Sequence, residues 1–287
     1  MRLMRHVFSM LAATALCGAT AALAEDLTGY VGFDLGPDWQ TGHWDGDEVQ
    51  RGPGGWAAAY GRLGVDLADE ITAQFDAWLR RGEGEIDDDD FGLTTWYQLQ
   101  GGAAAHLTYR NGDFLGGVAG SLGFLNGNDE KDSTYGSVAL ESGFDADEFS
   151  LIGHLGYTGS LSGYSKDIGE EILFAALDAA YYLNPDFSLS AQISWSRYTD
   201  EANTVDQKDV TALVVGFDYK LPDQPLILTG RYMAEYYDYT RTDVDVFSMF
   251  NQRVTVGARI PFGEDSGTLR DLDRATGLEH LAGYYNR

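Results

Sequence analysis

The sequence predicts an all-β protein, a transmembrane antiparallel up-and-down β-barrel of about 12 strands. Apolar residues alternate with small or polar residues along a dozen segments, which is the period of a strand with two different surroundings. Tight links and longer polar segments alternate between these strands. Beyond residue 24, no uncharged apolar run reaches the roughly 18 residues of a membrane helix, whereas a barrel strand needs only about 9–11 residues.

The first 24 residues predict a secretory signal peptide, because Arg2 and Arg5 precede an apolar run and Ala22-Leu23-Ala24 resembles a cleavage site. Its removal would take away Cys17, the one cysteine, so the mature chain could form no disulfide. The remaining 17 basic residues (19 minus two arginines) face 45 acidic residues, a net charge of −28. Such a chain should repel nucleic acid, so we expect no nucleic-acid partner.

Three strands are predicted in the first third of the mature chain, at 27–36, about 55–67 and 71–79. The acidic segments 37–53 and 81–92 that follow the first and third strands are predicted as loops. The apolar faces consist of Leu27, Val31, Phe33 and Leu35, then Ala57, Ala59, Leu63, Val65 and Leu67, then Ile71, Ala73, Phe75, Ala77 and Leu79.

Four further strands form two hairpins. The fourth and fifth strands flank Asn111-Gly112, the strongest short signal for a hairpin, and the sixth and seventh flank Asp145-Ala146-Asp147. The apolar faces consist of Tyr97, Leu99, Ala103, Ala105, Leu107 and Tyr109, then Phe114, Val118, Leu122 and Phe124, then Val138, Leu140 and Phe144, then Phe149, Leu151, Leu155 and Tyr157.

The hairpin from Glu170 to Arg197 alternates most clearly, around the turn Asn184-Pro185-Asp186. Three more strands follow, and the tenth and eleventh are joined by Pro222-Asp223-Gln224-Pro225. The apolar faces of these five strands consist of Leu173, Ala175, Leu177, Ala179, Tyr181 and Leu183, then Phe187, Leu189, Ala191, Ile193 and Trp195, then Leu213, Val215, Phe217 and Tyr219, then Leu226, Leu228, Tyr232 and Tyr236, then Val254, Val256, Ala258, Ile260 and Phe262.

The two faces of these strands differ in charge. The apolar faces carry no Lys, Arg, Asp or Glu, as expected of side chains in lipid, where a charge costs about 2–4 kcal/mol at mid-depth. The opposite faces carry many polar and charged residues that a dry core could not bury, so we expect them to line a water-filled lumen. Aromatic residues beside the tight turns predict an interfacial girdle, namely Tyr109, Phe114, Phe144, Phe149, Tyr181, Phe187, Tyr219 and Phe262.

The opening Leu27-Thr28-Gly29-Tyr30-Val31-Gly32-Phe33 and the pattern over about residues 26–263 resemble the bacterial outer-membrane β-barrel superfamily, in particular the porin-like proteins. The resemblance implies location in the bacterial outer membrane, short periplasmic turns and longer extracellular loops. It also implies contact with outer-membrane lipid and lipopolysaccharide, and insertion by the outer-membrane assembly machinery.

The C-terminus departs from that resemblance. Family members usually finish on an aromatic residue of the last strand, whereas here Phe262 is followed by about two dozen residues. The chain is therefore divided into a signal peptide (1–24), a β-barrel (25–263) and a C-terminal tail (264–287). The tail has spaced leucines, and we expect one or two short helices on the periplasmic side, a plug that enters the lumen, or a loose terminus.

The function we expect is a channel for passive diffusion of small hydrophilic solutes or ions, with mild cation preference. Five charged residues near mid-barrel are the predicted pore lining: Arg62, Asp76, Asp178, Arg231 and Glu235. Opposed acids and bases would select solutes by their charge. In the alternative interpretation, these residues pair with each other and fill the lumen. The alternative function is a closed structural or adhesion barrel that acts through its acidic loops.

Catalytic and metal-binding signals are weak, and we expect no enzyme activity, no cofactor and no bound metal. His106 and Thr108 share a face, but that face points inward, as does His154. The acidic run 87–90 lacks the spaced ligands and the glycine of an ordered calcium loop.

Overall fold

A computed structural model places twelve antiparallel strands in one closed barrel, with each strand beside its sequence neighbours. The structure describes residues 27–44, 47–88, 92–127, 132–163, 171–200, 206–240, 247–263 and 267–276. The strands are β1 (Leu27–Trp44), β2 (Asp47–Ala68), β3 (Ile71–Asp88), β4 (Gly92–Asn111), β5 (Phe114–Gly127), β6 (Ser133–Asp145), β7 (Phe149–Gly163), β8 (Glu171–Asn184), β9 (Phe187–Asp200), β10 (Asp206–Lys220), β11 (Ile227–Thr240) and β12 (Phe247–Phe262). The predicted all-β barrel of 12 strands is confirmed.

The first and last strands, β1 and β12, pair and close the barrel. This ladder contains 13 residue pairs, from Gly29↔Phe262 to His43↔Ser248. The five tight turns lie at one end of the barrel, which we call the periplasmic end, and the opposite ends of the strands form the extracellular end. At the β4–β5 turn, Gly112 has a φ of 62°, a left-handed conformation that glycine adopts without steric cost.

The extracellular strand ends are longer than the sequence predicts. The ladder of β1 and β2 continues to Trp44↔Asp47, and that of β3 and β4 continues to Asp88↔Gly92. The prediction that 37–53 and 81–92 are loops is therefore wrong for most of these residues. Backbone hydrogen bonds hold a ladder together whatever the side chains are, so the end of the apolar pattern marks the end of the membrane belt and not the end of the strand.

The apolar faces point outward, as the alternation predicts. Leu122, Val138 and Leu140 leave 64%, 64% and 63% of their surface exposed, although they are large and apolar. Their neighbours along β5 and β6 belong to the same exposed band, which surrounds the barrel. In water such a band would be a large uncovered apolar surface, whereas in a bilayer it faces hydrocarbon.

The aromatic girdle lies beside the periplasmic turns. Phe114 on β5 and Phe144 on β6 meet edge to face, with ring centroids 5.4 Å apart. Phe187 on β9 lies beside Tyr219 on β10, with ring centroids 6.3 Å apart and the two rings tilted by 55°. Aromatic side chains are typical of the membrane interface, so these residues mark the periplasmic edge of the apolar belt.

The tail contains one described helix, α1 (Leu269–Thr276). Thr268 caps it, because the Asp271 amide donates to Thr268 Oγ1 at 3.0 Å and Thr268 Oγ1 donates to the Asp271 carboxylate. Among the described residues, no helix is long and apolar enough to cross a membrane. The predicted signal peptide and residues 277–287 lie outside the described residues.

Candidate functional site: the barrel interior

The five predicted pore-lining residues lie on the inner face, and the structure brings some of them together. Arg62 on β2 and Asp76 on β3 are cross-strand partners, and Arg62 Nε lies 2.7 Å from Asp76 Oδ1. Asp178 on β8 is linked to Asp76 through intervening side chains, whereas Arg231 and Glu235 on β11 belong to two other groups of interior contacts. Acids and bases therefore meet as neighbours on adjacent strands, and the pore-lining role itself stays a prediction.

Asp76 begins a chain of alternating carboxylates and imidazoles. His106 Nε2 lies 3.1 Å from Asp76 Oδ2, and His106 Nδ1 lies 2.8 Å from Glu141 Oε1. His154 Nδ1 lies 3.7 Å from the same Glu141 oxygen, and His154 Nε2 lies 2.9 Å from Asp178 Oδ2. The chain Asp76–His106–Glu141–His154–Asp178 thus follows the inner wall from β3 to β8.

A glycine on β5 makes this chain possible. Glu141 on β6 and His106 on β4 are separated by β5, where Gly117 pairs with Glu141. A Cβ atom at Gly117 would lie 2.8 Å from the Leu107 carbonyl oxygen and 3.3 Å from Glu141 Oε2. Because position 117 has no side chain, the Glu141 carboxylate can cross β5 to reach His106.

The chain is buried and consists of ionisable groups. His106, Glu141 and His154 expose only 4%, 3% and 4% of their surface. A neutral imidazole has only one N–H donor, so the doubly protonated ring fits a histidine that faces a carboxylate at each nitrogen. With both rings protonated, two imidazoliums and Arg62 would balance the three carboxylates, and the chain would join six strands through ion pairs at 2.7–3.7 Å.

A second charged group lies on the opposite wall. Arg231 Nη2 on β11 donates to both oxygens of Asp218 on β10, at 2.8 and 3.0 Å. Arg259 Nη2 on β12 lies 3.7 Å from Asp218 Oδ1. A Cβ atom at Gly216 would lie 2.3 Å from Arg231 Cδ, so the absence of a side chain leaves the space that the arginine occupies.

Toward the extracellular end, the inner face becomes more apolar. Trp78 on β3, Ala104 on β4 and Tyr135 on β6 form one buried cluster. A second cluster joins strands β8 to β11 and consists of Ile172, Tyr198, Val210 and Tyr237, with Met249 packed against it. This half of the interior is therefore not the small, wet lining that the sequence predicts.

The helix α1 lies across the periplasmic mouth. Leu269 and Leu272 are 2% and 1% exposed, and they pack with Tyr30 on β1, Tyr182 on β8 and Ile227 on β11. Because β1 and β8 lie on different sides of the barrel, one helix that contacts both spans the opening. The Leu269 amide donates to the Pro185 carbonyl at 3.0 Å, and Lys220 Nζ donates to the Gly267 carbonyl at 2.5 Å.

A chamber separates α1 from the carboxylate–imidazole chain. Its volume is about 100 Å³, well above the roughly 10–15 Å³ that one water molecule needs. Asp178 and Gln192 border it, as do Asp218 and Arg231. Asp273 of α1 also borders it and accepts a hydrogen bond from the Tyr182 hydroxyl at 3.0 Å. Asp178 of the chain and Asp273 of the helix therefore border one small space.

Sequence reasoning underestimated the two histidines. It assigned His106 and His154 to the inner face as polar lining, and it did not place them beside Glu141. Alternation gives the face of each residue, but a contact between β4 and β6 also depends on the register of two ladders. The available signal was a glycine on the intervening strand beside an inward glutamate.

Within the described part of the chain, no group of three or more His, Cys, Asp and Glu could hold a metal ion.

Comparison with known proteins identifies the fold. No protein-family model matches the sequence, and no curated protein matches it. The COG4313 outer-membrane channel from Pseudomonas putida F1 superposes with a TM-score of 0.57 at 15% identity, over 84% of this chain and 97% of that chain. The P. putida toluene transporter TodX gives a TM-score of 0.49 at 11% identity, over 86% of this chain and 92% of that chain.

OmpT, an outer-membrane protein of Vibrio cholerae, gives a TM-score of 0.41 at 9% identity, over 82% of this chain and 98% of that chain. Identities this low establish a shared fold only. At that level, the expected resemblance to the outer-membrane β-barrel superfamily is confirmed. The closed barrel and its exposed apolar belt agree with the expected location in the bacterial outer membrane.

Proposed function

We propose that this protein is an outer-membrane channel for passive diffusion of small hydrophilic solutes or ions, with mild cation preference, and that the structure represents its closed form. The observation that carries the proposal is the polar inner face, on which charged side chains follow the wall from β2 to β12. A barrel that served only as a membrane anchor could fill this space with apolar side chains, because burying charges costs free energy.

Acidic groups support the expected cation preference. With its imidazoles protonated the carboxylate–imidazole chain is balanced, so the preference rests on the mature chain as a whole, in which 45 acidic residues outnumber 17 basic ones (19 minus the two arginines of the signal peptide). An excess of carboxylates raises the local concentration of cations and lowers that of anions.

Two features close the interior, and each could open. The helix α1 is held at the periplasmic mouth by two leucines and a few hydrogen bonds, so its displacement would uncover the chamber. Above the chamber, the carboxylate–imidazole chain fills the inner wall, and water would have to enter between its members for ions to pass.

Planar-bilayer recordings test the proposal. The full mature chain should give low or intermittent conductance, and deletion of residues 264–287 should raise the conductance several-fold, because the mouth is then uncovered. Salt gradients should give a cation-to-anion permeability ratio above one. A tail-deleted barrel that is folded but does not conduct, or one that favours anions, would contradict the proposal.

A closed structural or adhesion barrel is the second candidate. Burial favours it, because Glu235 and Asn251 are only 1% and 2% exposed, values typical of a packed core. This candidate predicts no conductance in any tail variant. It also predicts that neutralising the acidic loop residues removes binding to a surface while the barrel stays folded.

Lack of enzyme activity stays a prediction, and lipase assays on protein purified in detergent test it.

We also propose that the barrel contacts outer-membrane lipid and lipopolysaccharide, and that the assembly machinery inserts it by an internal signal, Arg253–Phe262. Replacing Phe262 with Ser should then lower the amount of folded barrel in the membrane, whereas deleting the tail should not.

A further inference from the structure

A lysine ammonium is held between two tyrosine rings at the extracellular end of the interior. Lys208 Nζ lies 4.5 Å from the centroid of the Tyr198 ring and 5.1 Å from that of the Tyr237 ring. Both distances lie within the roughly 6 Å over which an aromatic face attracts a cation. We call Tyr198 and Tyr237 the tyrosine pair.

Strand register builds this arrangement. Lys208 on β10 is the cross-strand partner of Tyr198 on β9. Two residues along the same face of β10, Val210 is the partner of Tyr237 on β11. Lys208 therefore has one ring beside it and one ring diagonal to it, from the two neighbouring strands. The geometry follows from backbone pairing and does not require an unusual side-chain conformation.

The surroundings of the tyrosine pair are those of a cation site. Tyr198 and Tyr237 are only 6% and 3% exposed, and the apolar side chains of Ile172 and Val210 pack against them. Removal of water from a ring face strengthens its attraction for a cation. The Tyr237 hydroxyl lies 3.3 Å from Glu235 Oε2, so a buried carboxylate lies at the far end of one ring.

We propose that the tyrosine pair is a binding site for ammonium-type cations, and that Lys208 occupies it as a tethered ligand. An alkylammonium or quaternary ammonium group offers the same compact charge with an apolar surface, which ring faces recognise. Such a solute would have to displace the Lys208 ammonium. The lysine thus limits occupancy of the site, and its removal exposes the rings to external cations.

The test is binding of tetramethylammonium to the full mature chain, folded in detergent and followed by calorimetry and by tyrosine fluorescence. Lys208→Ala should bind tetramethylammonium at least tenfold more tightly than the unmodified protein. Lys208→Arg is the matched control, because it keeps a tethered cation beside the rings and should bind as weakly as the unmodified protein. Lys208→Gln is a second uncharged variant, for use if Lys208→Ala does not fold.

Binding should disappear again when Tyr198→Leu is added to Lys208→Ala. Saturable binding that survives replacement of both tyrosines with leucine would place the ligand elsewhere and overturn the proposal. So would folded Lys208→Ala and Lys208→Gln variants that show no saturable binding. This assay does not depend on ion flow, so its outcome is independent of whether the barrel conducts.

Discussion

Glu141 is the residue on which the carboxylate–imidazole chain depends. Its Oε1 atom lies within 2.8 Å of His106 Nδ1 and within 3.7 Å of His154 Nδ1, so one oxygen joins the two halves of the chain. The residue is only 3% exposed, and water cannot readily replace it. Removing one partner of a buried charged group is costly, because the remaining charges stay buried without compensation.

Replacing Glu141 with Gln should therefore lower the free energy of unfolding by about 3 kcal/mol. The amide keeps the shape of the carboxylate but removes its charge from between the two imidazoles. Urea unfolding in lipid vesicles measures the change. Glu83→Gln is the control, since its partner Arg81 lies on the same strand and both are partly exposed, and it should cost less than about 1 kcal/mol. Equal effects of the two substitutions would contradict the role of Glu141.

Two adjacent glycines on β5 provide a matched pair of variants. A Cβ atom at Gly117 would press on the Leu107 carbonyl at 2.8 Å, whereas one at Gly116 would meet nothing nearer than the Glu141 carbonyl oxygen at 3.9 Å. Gly117→Ala should destabilise the barrel by about 1–3 kcal/mol, the usual cost of overpacking. Gly116→Ala should be nearly neutral. Thermal unfolding of both variants is the measurement, and a neutral Gly117→Ala would mean that Glu141 does not need this gap.

At the scale of single elements, α1 is held to the barrel chiefly by two buried leucines. Placing a carboxylate at position 272 would bury a charge between Tyr30 and Tyr182, so the helix should leave the mouth. Leu272→Asp should raise single-channel conductance several-fold and approach that of the tail-deleted chain. Asp113→Asn, in the exposed turn between β4 and β5 at the same end of the barrel, should leave conductance unchanged. A Leu272→Asp variant that conducts like the unmodified protein would show that the helix is not the barrier.

The strands were predictable from the sequence within the membrane and not beyond it. Val138, Leu155 and Ile193 were assigned to lipid because each lies in an alternation that continues for several residues, and each is more than half exposed. The extracellular parts of β1–β4 were missed because acidic and glycine-rich segments carry no alternation, although their backbones still pair. The leucine spacing of the tail suggested a helix or a plug, but it could not choose between them.

Interior contacts were less predictable than faces. The pairing of Arg62 with Asp76 needs only the register of one hairpin, which the short link after Ala68 nearly fixes. The contact of His106 with Glu141 crosses an intervening strand, and Lys208 meets Tyr237 on a diagonal. Such contacts depend on the relative register of neighbouring ladders. Alternation along a single strand gives no information about that register.

For the whole molecule, the bilayer sets the cost of each outward position by its depth. Val138 is 64% exposed on β6 and lies within the apolar belt, whereas Leu161 is 50% exposed near the extracellular end of β7. Val138→Arg should cost about 2–4 kcal/mol, and Leu161→Arg should cost about 0–1 kcal/mol, because the penalty falls toward the interface. Urea unfolding in vesicles compares the two. If Val138→Arg were as mild as Leu161→Arg, the belt would not face hydrocarbon at that level.

Side-chain contacts inside the barrel join β1 to β11 and β12, in addition to the backbone ladder between β1 and β12. Arg253 Nη2 on β12 lies 2.6 Å from Asp38 Oδ2 on β1, and Thr229 Oγ1 on β11 donates to Asp34 Oδ1 on β1 at 3.0 Å. Along the described residues of this junction, the barrel wall has no lateral opening into the lipid. A molecule that entered from outside the cell would have to travel along the whole barrel axis and leave at the periplasmic mouth, past α1.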